Sequence, residues 1–457
     1  MSLFDAICII VGTIIGAGIF RTAPTIATFS ESFGWMIGLW LFGGFITVLG
    51  ALCFAELTTR FVDVAGGDYG FLKISYGKPV GFMFAWATFW IIRPGNIGAM
   101  ALTFASYFDK VLGFGDEGSQ IRMAIFTILA VLILSGINLI GLKQGKRIQN
   151  VLTVTKVLGI AAIIAIAFLS PVNDGNLTSA KTLTSAGSGM WLVALVFVMF
   201  SFGGWNDISF VATEIKSPER NLFRALIFGA VLVTTIYVTI NCAFVAALGF
   251  ENVAQSKAVA TDVVQQSFGV ESWVGQRGGQ LIAALICISC LGAINGIIIT
   301  SPRIYYAAGK DYPLLKSLGQ WNLKRDQPWI ATLAQAGVTI AFCLLCFQYE
   351  KPFDVILITS APFFWAFLGM AGLSVIVLRY RRLDFAQENA FRVPLFPIEP
   401  LVLATACFAM TYASFKHMLE EELWLAMSAV FGMMFVGVLL GVLLSAKPSE
   451  FDNTADN

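Results

Sequence analysis

The sequence predicts an all-α polytopic membrane protein with about twelve transmembrane helices, and three observations carry that prediction. Of 457 residues, 57% are hydrophobic and only 12% charged, half the charge of an ordinary soluble domain, which carries about 25%. A bilayer span takes about 20 mostly apolar residues. Such runs recur near 4–30, 35–57, 79–107, 121–141, 147–170, 189–213, 224–248, 279–301, 329–347, 353–378, 398–415 and 422–445. The 29 Lys and Arg residues alternate between these runs: 19 fall in the loops and tail of one side, 7 in the loops of the other, and Arg21, Arg93 and Lys156 lie inside runs. Lys and Arg favour cytoplasmic loops, so both termini are expected inside, and an odd number of spans would scramble the alternation.

Composition excludes several function classes. A net charge of +1 gives no case for nucleic acid. The eight cysteines all lie in apolar runs, two pairs of them spaced C-x-x-C; in that setting the spacing stacks small apolar side chains on one helix face. His417 is the only histidine, so no histidine metal site is expected. No basic segment precedes the first apolar run, so no secretory signal is read there. No nucleophile–base constellation appears, and no cofactor is implied.

The first run contains Gly12–Phe20, GTIIGAGIF. Glycine costs about 1 kcal/mol in a helix interior, and three within seven residues mark either close helix packing or a break. The break reading unwinds the helix at Gly16, Ala17 and Gly18. It leaves amides facing an anion and carbonyls facing a cation. In the third run Arg93 precedes Pro94-Gly95, a kink signal. Arg21, about one turn past the first break, is placed to line an external vestibule; for both Arg21 and Arg93 the other reading is solvation or pairing with Asp or Glu at the membrane surface. The segment GLKQGKR at 141–147 has the wrong spacing for a phosphate loop and reads as a basic inside loop.

Lys156 sits midway along the fifth run with no acid nearby in sequence. A lysine there costs about 2.5–3.5 kcal/mol on insertion scales, and snorkelling from the centre is difficult. It is expected to donate to carbonyls freed at the first break, in place of a bound cation. The sixth run repeats the glycine device as FSFGGWND at 200–207. Glycine-interrupted spans at matched positions, the first and sixth, point to a transporter site, because non-helical backbone at membrane depth needs a cavity or protein around it. Such a pair of breaks suits a zwitterion. The longest linker, about 249–278, and the short tails complete the chain.

These segments resemble the amino acid–polyamine–organocation transporters, and within them the L-amino acid transporter branch. The resemblance runs over nearly the whole chain: GTIIGAGIF, with Ala17 where Ser is common; AELTTRFVDVAGGDYGFL at 55–72; WIIRPGN at 90–96; SFGGWNDISFVATEIKSPERNLFRA at 201–225; IYVTIN at 236–241; LGAINGIIITSPRIYYAAG at 291–309; and FRVPLFPIEP at 391–400. It implies a leucine-transporter-type fold: one five-helix repeat over 1–170, a second, inverted, over 189–378, spans 11 and 12 over 395–445, and a cytoplasmic tail over 446–457. It also implies roles. Gly16, Ala17 and Gly18 would offer amides to the substrate carboxylate, and Ile14, Phe200 and Gly203 carbonyls to its ammonium. Phe200 would gate the site, Asn206 and Tyr237 would steady the breaks, and Lys156 would take the place of sodium in sodium-coupled relatives.

Two departures stand out. Asp207 replaces a commonly uncharged residue, and the outside loop at about 108–120 lacks the cysteine that tethers animal relatives to a heavy chain. No disulfide-linked partner is therefore expected, and a bacterial inner membrane is. Asn176-Leu177-Thr178 is a sequon of a kind that recurs by chance. The expected function is sodium-independent transport, by exchange, of neutral L-amino acids through alternating access. A proton-coupled symporter, an amino-acid sensor without useful flux, and a channel are the rivals.

Overall fold

The computed structural model describes residues 1–114, 118–169, 190–349, 351–381, 391–420 and 423–445. The sequon at 176–178 and the tail at 446–457 lie outside the described residues. The chain is all-helical and polytopic; among the described residues there is no strand, only one antiparallel bridge between Asn322 and Gln327. Ten helices are long and apolar enough to cross a membrane, and eleven if the bent pair at the N-terminus is one span.

That bent pair is α1 (Leu3–Ile14) and α2 (Gly18–Thr28), which meet at 46°. Ser2 caps α1: its hydroxyl accepts from the Asp5 amide while the Asp5 carboxylate accepts from the Ser2 amide. The first break falls within the predicted glycine stretch. Next come α3 (Phe33–Arg60) and a short α4 (Asp68–Tyr76). The predicted third run forms α5 (Lys78–Ala87), a π-helical turn (Thr88–Ile92) and α6 (Arg93–Leu112) in succession; no one piece of it is counted among the eleven spans. The distortion lies just before the expected Pro94 kink, because a proline without an N–H cannot bond back into the preceding turn.

Two long helices follow, α7 (Ser119–Ile140) and α8 (Leu142–Leu169), joined at Gly141. The sixth run then splits as predicted into α9 (Met190–Ser201) and a 3-10 helix (Trp205–Glu214). The remaining spans are α10 (Pro218–Leu248), α13 (Trp273–Thr300), α15 (Trp329–Cys346), α16 (Pro352–Tyr380), α17 (Ile398–Glu420) and α18 (Trp424–Ser445). The long linker before α13 is not structureless: it holds α11 (Phe250–Gln255) and α12 (Val259–Phe268). A further helix, α14 (Pro302–Asp311), continues from α13.

Burial sorts the spans into an inner and an outer set. In the segment Trp273–Asp311, 78% of the most apolar stretch is buried, and 72% in Ala194–Glu214. In Leu142–Leu169 and Trp424–Leu444 the figure is 28%. Leu132, Ile133, Leu158, Phe435 and Leu443 stand exposed on the outer helices, an apolar surface that suits hydrocarbon and not water. The two interrupted spans are thus enclosed by unbroken ones, which is where irregular backbone is tolerated at depth.

Candidate functional site

Both breaks open onto one cavity of ≈ 80 Å³, several times the roughly 10–15 Å³ that one water needs. Its walls include Ile14, Gly16, Gly18, Phe200 and Gly203 from the two interrupted spans. At the first break the chain leaves the helix at Ile15 (φ −76°, ψ 87°). The Gly16 amide turns back onto the Ile14 carbonyl at 2.9 Å, so it is already engaged. Among the described residues, the amides of Ala17, Gly18 and Ile19 have no acceptor. This set is shifted by one residue from the predicted Gly16, Ala17 and Gly18. These amides start α2, where the helix dipole favours an anion.

At the second break Gly204 has φ +105° and ψ −3°, a conformation that L side chains rarely adopt. The Phe200 carbonyl accepts from the Gly203 amide at 3.1 Å and the Ile14 carbonyl also accepts from Tyr237 Oη at 3.2 Å. A carbonyl oxygen has two lone pairs, so that of Ile14 is filled by the Gly16 amide and Tyr237, that of Phe200 keeps one free, and the Gly203 carbonyl accepts nothing among the described residues. Phe200 borders the cavity with Phe364 and Trp365, an aromatic edge on which a gate can be built.

Tyr237 does not line the cavity. It is fully buried, packed on Trp40 and Phe202 with ring centroids 5.3 and 5.1 Å away. Its hydroxyl is shared between the carbonyls of Ile14 (3.2 Å) and Ser201 (3.0 Å), one from each interrupted span. Asn206 also points elsewhere: its Nδ2 donates to Asp68 Oδ2 at 2.8 Å, and Ser209 Oγ donates to Asp68 Oδ1 at 2.9 Å. Both residues brace the breaks from behind, the former at their junction and the latter through α4.

Lys156 is wholly buried, and its ammonium donates to three carbonyls: Gly12 at 2.9 Å, Ile15 at 2.6 Å and Ser289 at 2.9 Å. Two of these end α1, where aligned peptide dipoles leave negative partial charge. The carbonyls of Gly12 and Ile15 lie at the end of α1, beside the first break. Sequence reasoning missed Ser289, whose hydroxyl lies 2.9 Å from the carbonyls of both Ile15 and Gly16.

Arg93 and Asp207 both line the cavity and meet there as a bidentate pair, Nη1 to Oδ2 at 2.8 Å and Nη2 to Oδ1 at 2.7 Å. The alternative of a pair at the membrane surface is thus corrected in place but not in kind. Removing one half of such a buried pair typically costs about 3–5 kcal/mol. Opposite charges buried in two different spans are the signal that could have joined them. Arg21, by contrast, is exposed, 3.5 Å from Thr103 Oγ1 and stacked on Phe353 at 4.6 Å. All eight cysteines are free thiols, and no cluster of metal-ligating side chains occurs among the described residues.

A family model described as amino acid permease matches residues 1–440. The serine/threonine exchanger SteT of Bacillus subtilis is 30% identical over 412 residues, covering 89% of each chain. The b(0,+)-type amino acid transporter 1 of Mus musculus is 29% identical over 439 residues, covering 95% of this chain and 86% of its own. The large neutral amino acids transporter small subunit 2 of Homo sapiens is 29% identical over 469 residues, covering 99% of this chain and 82% of its own.

Proposed function

The chain belongs to the amino acid permease family, a family of transporters and not of enzymes, and on that premise we propose that it exchanges neutral L-amino acids across the membrane, without sodium, by alternating access. The observation that carries this reading is the seat of Lys156. Its Nζ donates to the carbonyls of Gly12 and Ile15, so a tethered side-chain donor stands where a diffusible cation would otherwise satisfy the end of α1.

The unengaged amides of Ala17 and Gly18 suit an α-carboxylate, with Gly16 shaping the turn before them. The carbonyls of Phe200 and Gly203 suit an α-ammonium, with that of Ile14, held by Gly16 and Tyr237, beside them, and the Phe200 ring closes over the substrate. A neutral side chain fits because the Arg93–Asp207 pair leaves the wall without net charge. The relatives' names, an exchanger of serine and threonine and a transporter of large neutral amino acids, point the same way.

The reading extends to architecture. Residues 1–170 and 189–378 act as two five-span repeats, with spans 11 and 12 over 395–445. Both termini face the cytoplasm of a bacterial cell, and the carrier works without a disulfide-linked partner, since the loop at about 108–120 has no cysteine.

Proteoliposomes with choline replacing sodium test the proposal. Uptake of labelled serine is expected to persist, and to rise about tenfold when unlabelled serine is loaded inside, since flux by exchange needs a bound substrate on each side. Strict sodium dependence overturns it. So does uphill uptake driven by a pH gradient into liposomes that hold no internal amino acid.

A further inference from the structure

Resting on the carrier reading above, we infer that the Arg93–Asp207 pair is the subsite for the substrate's side chain, and that it selects neutral side chains ending in a hydroxyl or carboxamide over both ions and aliphatic isosteres. Both residues line the cavity that receives the two helix breaks, yet Arg93 is only 2% exposed and Asp207 0%. The pair is therefore part of the site and not of the protein surface.

Its hydrogen-bonding capacity is only partly used. Each terminal nitrogen of Arg93 gives one N–H to Asp207, and a guanidinium carries two on each such nitrogen. Each Asp207 oxygen accepts one of these bonds and retains a lone pair. Asn96, one turn along α6 from Arg93, lines the same cavity, and its carboxamide has no partner among the described residues. Donors and acceptors thus stand side by side on a wall of zero net charge.

Each substrate class meets that wall differently. An ionic side chain of either sign gives up its water and finds no net countercharge on the paired wall, a desolvation cost that nothing there offsets. An aliphatic end offers nothing to the polar groups it covers and strips their water. A hydroxyl or carboxamide both donates and accepts, so it matches the pair on both counts. Phe210 holds the guanidinium, its ring centroid 5.1 Å from Cζ. Asp207 is anchored at the second break, where its amide donates to the Gly204 carbonyl at 3.2 Å. The side-chain subsite consequently assembles together with the backbone groups that hold the zwitterion.

Competition against labelled serine in proteoliposomes tests the inference, with twenty unlabelled L-amino acids each titrated in turn. In the unmutated protein threonine is expected to compete at least about tenfold better than its isostere valine, since a site built to bond a hydroxyl rejects the analogue lacking it. Aspartate, glutamate, lysine and arginine are expected to compete poorly. Asp207→Asn leaves Arg93 uncompensated and is expected to improve glutamate at least about tenfold; Arg93→Gln should improve lysine likewise; the double variant should lose both gains.

Equal competition by threonine and valine in the unmutated protein overturns the inference without requiring any variant to fold. Singly substituted proteins that melt cooperatively yet leave the charged competitors unmoved overturn it too. Serine uptake with no threonine advantage sinks this inference alone, whereas no amino-acid uptake at all sinks the carrier reading beneath it.

Discussion

Asp68 opens α4 with its carboxyl group 2% exposed, bonded by Asn206 and Ser209. Burial is the larger influence and raises its pKa from 3.8 to about 7, against the opposing pull of those two hydrogen bonds and of Arg93. The folded protein therefore holds a proton that the unfolded chain has released. Stability from this group is complete below pH 3.8 and is lost as pH rises through about 7. Melting of the detergent-purified protein is expected to fall between pH 5 and about 7 and to level off above it. In Asp68→Asn that slope disappears; an unchanged slope would remove Asp68 as its source. Legibility at this scale followed charge. Lys156 announced itself as a lone cation in an apolar run, and a buried cation needs acceptors. Ser289 sent no such signal, because a hydroxyl in a helix can bond its own backbone and nothing in sequence says that it bonds another. Arg93 and Asp207 were each visible as charges, but they are 114 residues apart, and only the packing of α6 against the second break joins them.

The elements that matter most are the two breaks, and their glycines act in different ways. Gly204 is required by its backbone: φ is +105°, and a methyl group there would also stand 2.9 Å from Thr13 Cγ2 of α1. Gly432, in α18, has open space around it and no positive φ. Gly204→Ala is expected to destabilise the protein by about 1–2 kcal/mol or more and to abolish serine uptake by re-forming or displacing the turn. Gly432→Ala should be neutral or stabilising by up to about 1 kcal/mol, with uptake intact. Thermal melts and uptake on the same two preparations decide it; equal behaviour would mean that the second break imposes no backbone demand. Both breaks were legible because glycine clusters are costly inside a span. The π-helical turn at Thr88–Ile92 was not placed, since proline marks a distortion without fixing which turn absorbs it. The helices α11 and α12 were read as linker because each is too short to show a sustained apolar period.

Across the whole molecule, charge pairs gather at the end of the bundle that holds Met1. Lys146 and Asn150 of α8 donate to the Asp5 carboxylate of α1 at 2.9 and 2.8 Å. The Met1 amino group donates to the Glu214 carbonyl, and the Glu214 carboxylate receives Arg303 of α14 at 2.7 and 3.1 Å. Lys73 of α4 donates to Asp311 of α14 at 2.6 Å. The first halves of α1 and the end of the 3-10 helix, one from each interrupted span, are therefore tied to their surroundings at this end. Alternating access requires those ties to release, and a two-state equilibrium of this kind moves by the free energy removed from one state. Arg303 is 6% exposed, so its pair with Glu214 is shielded enough to count for more than the 0–1 kcal/mol of a surface bridge. Arg303→Gln is expected to favour the conformation open at this end. The readout is Cys8, 3% exposed in α1: its alkylation by a permeant maleimide, followed by peptide mass mapping, should quicken in the variant and slow again when serine is added. If Cys8 stays as slow as in the unmutated protein while the melting temperature drops, the pair only stabilises the bundle and the gate at this end lies elsewhere.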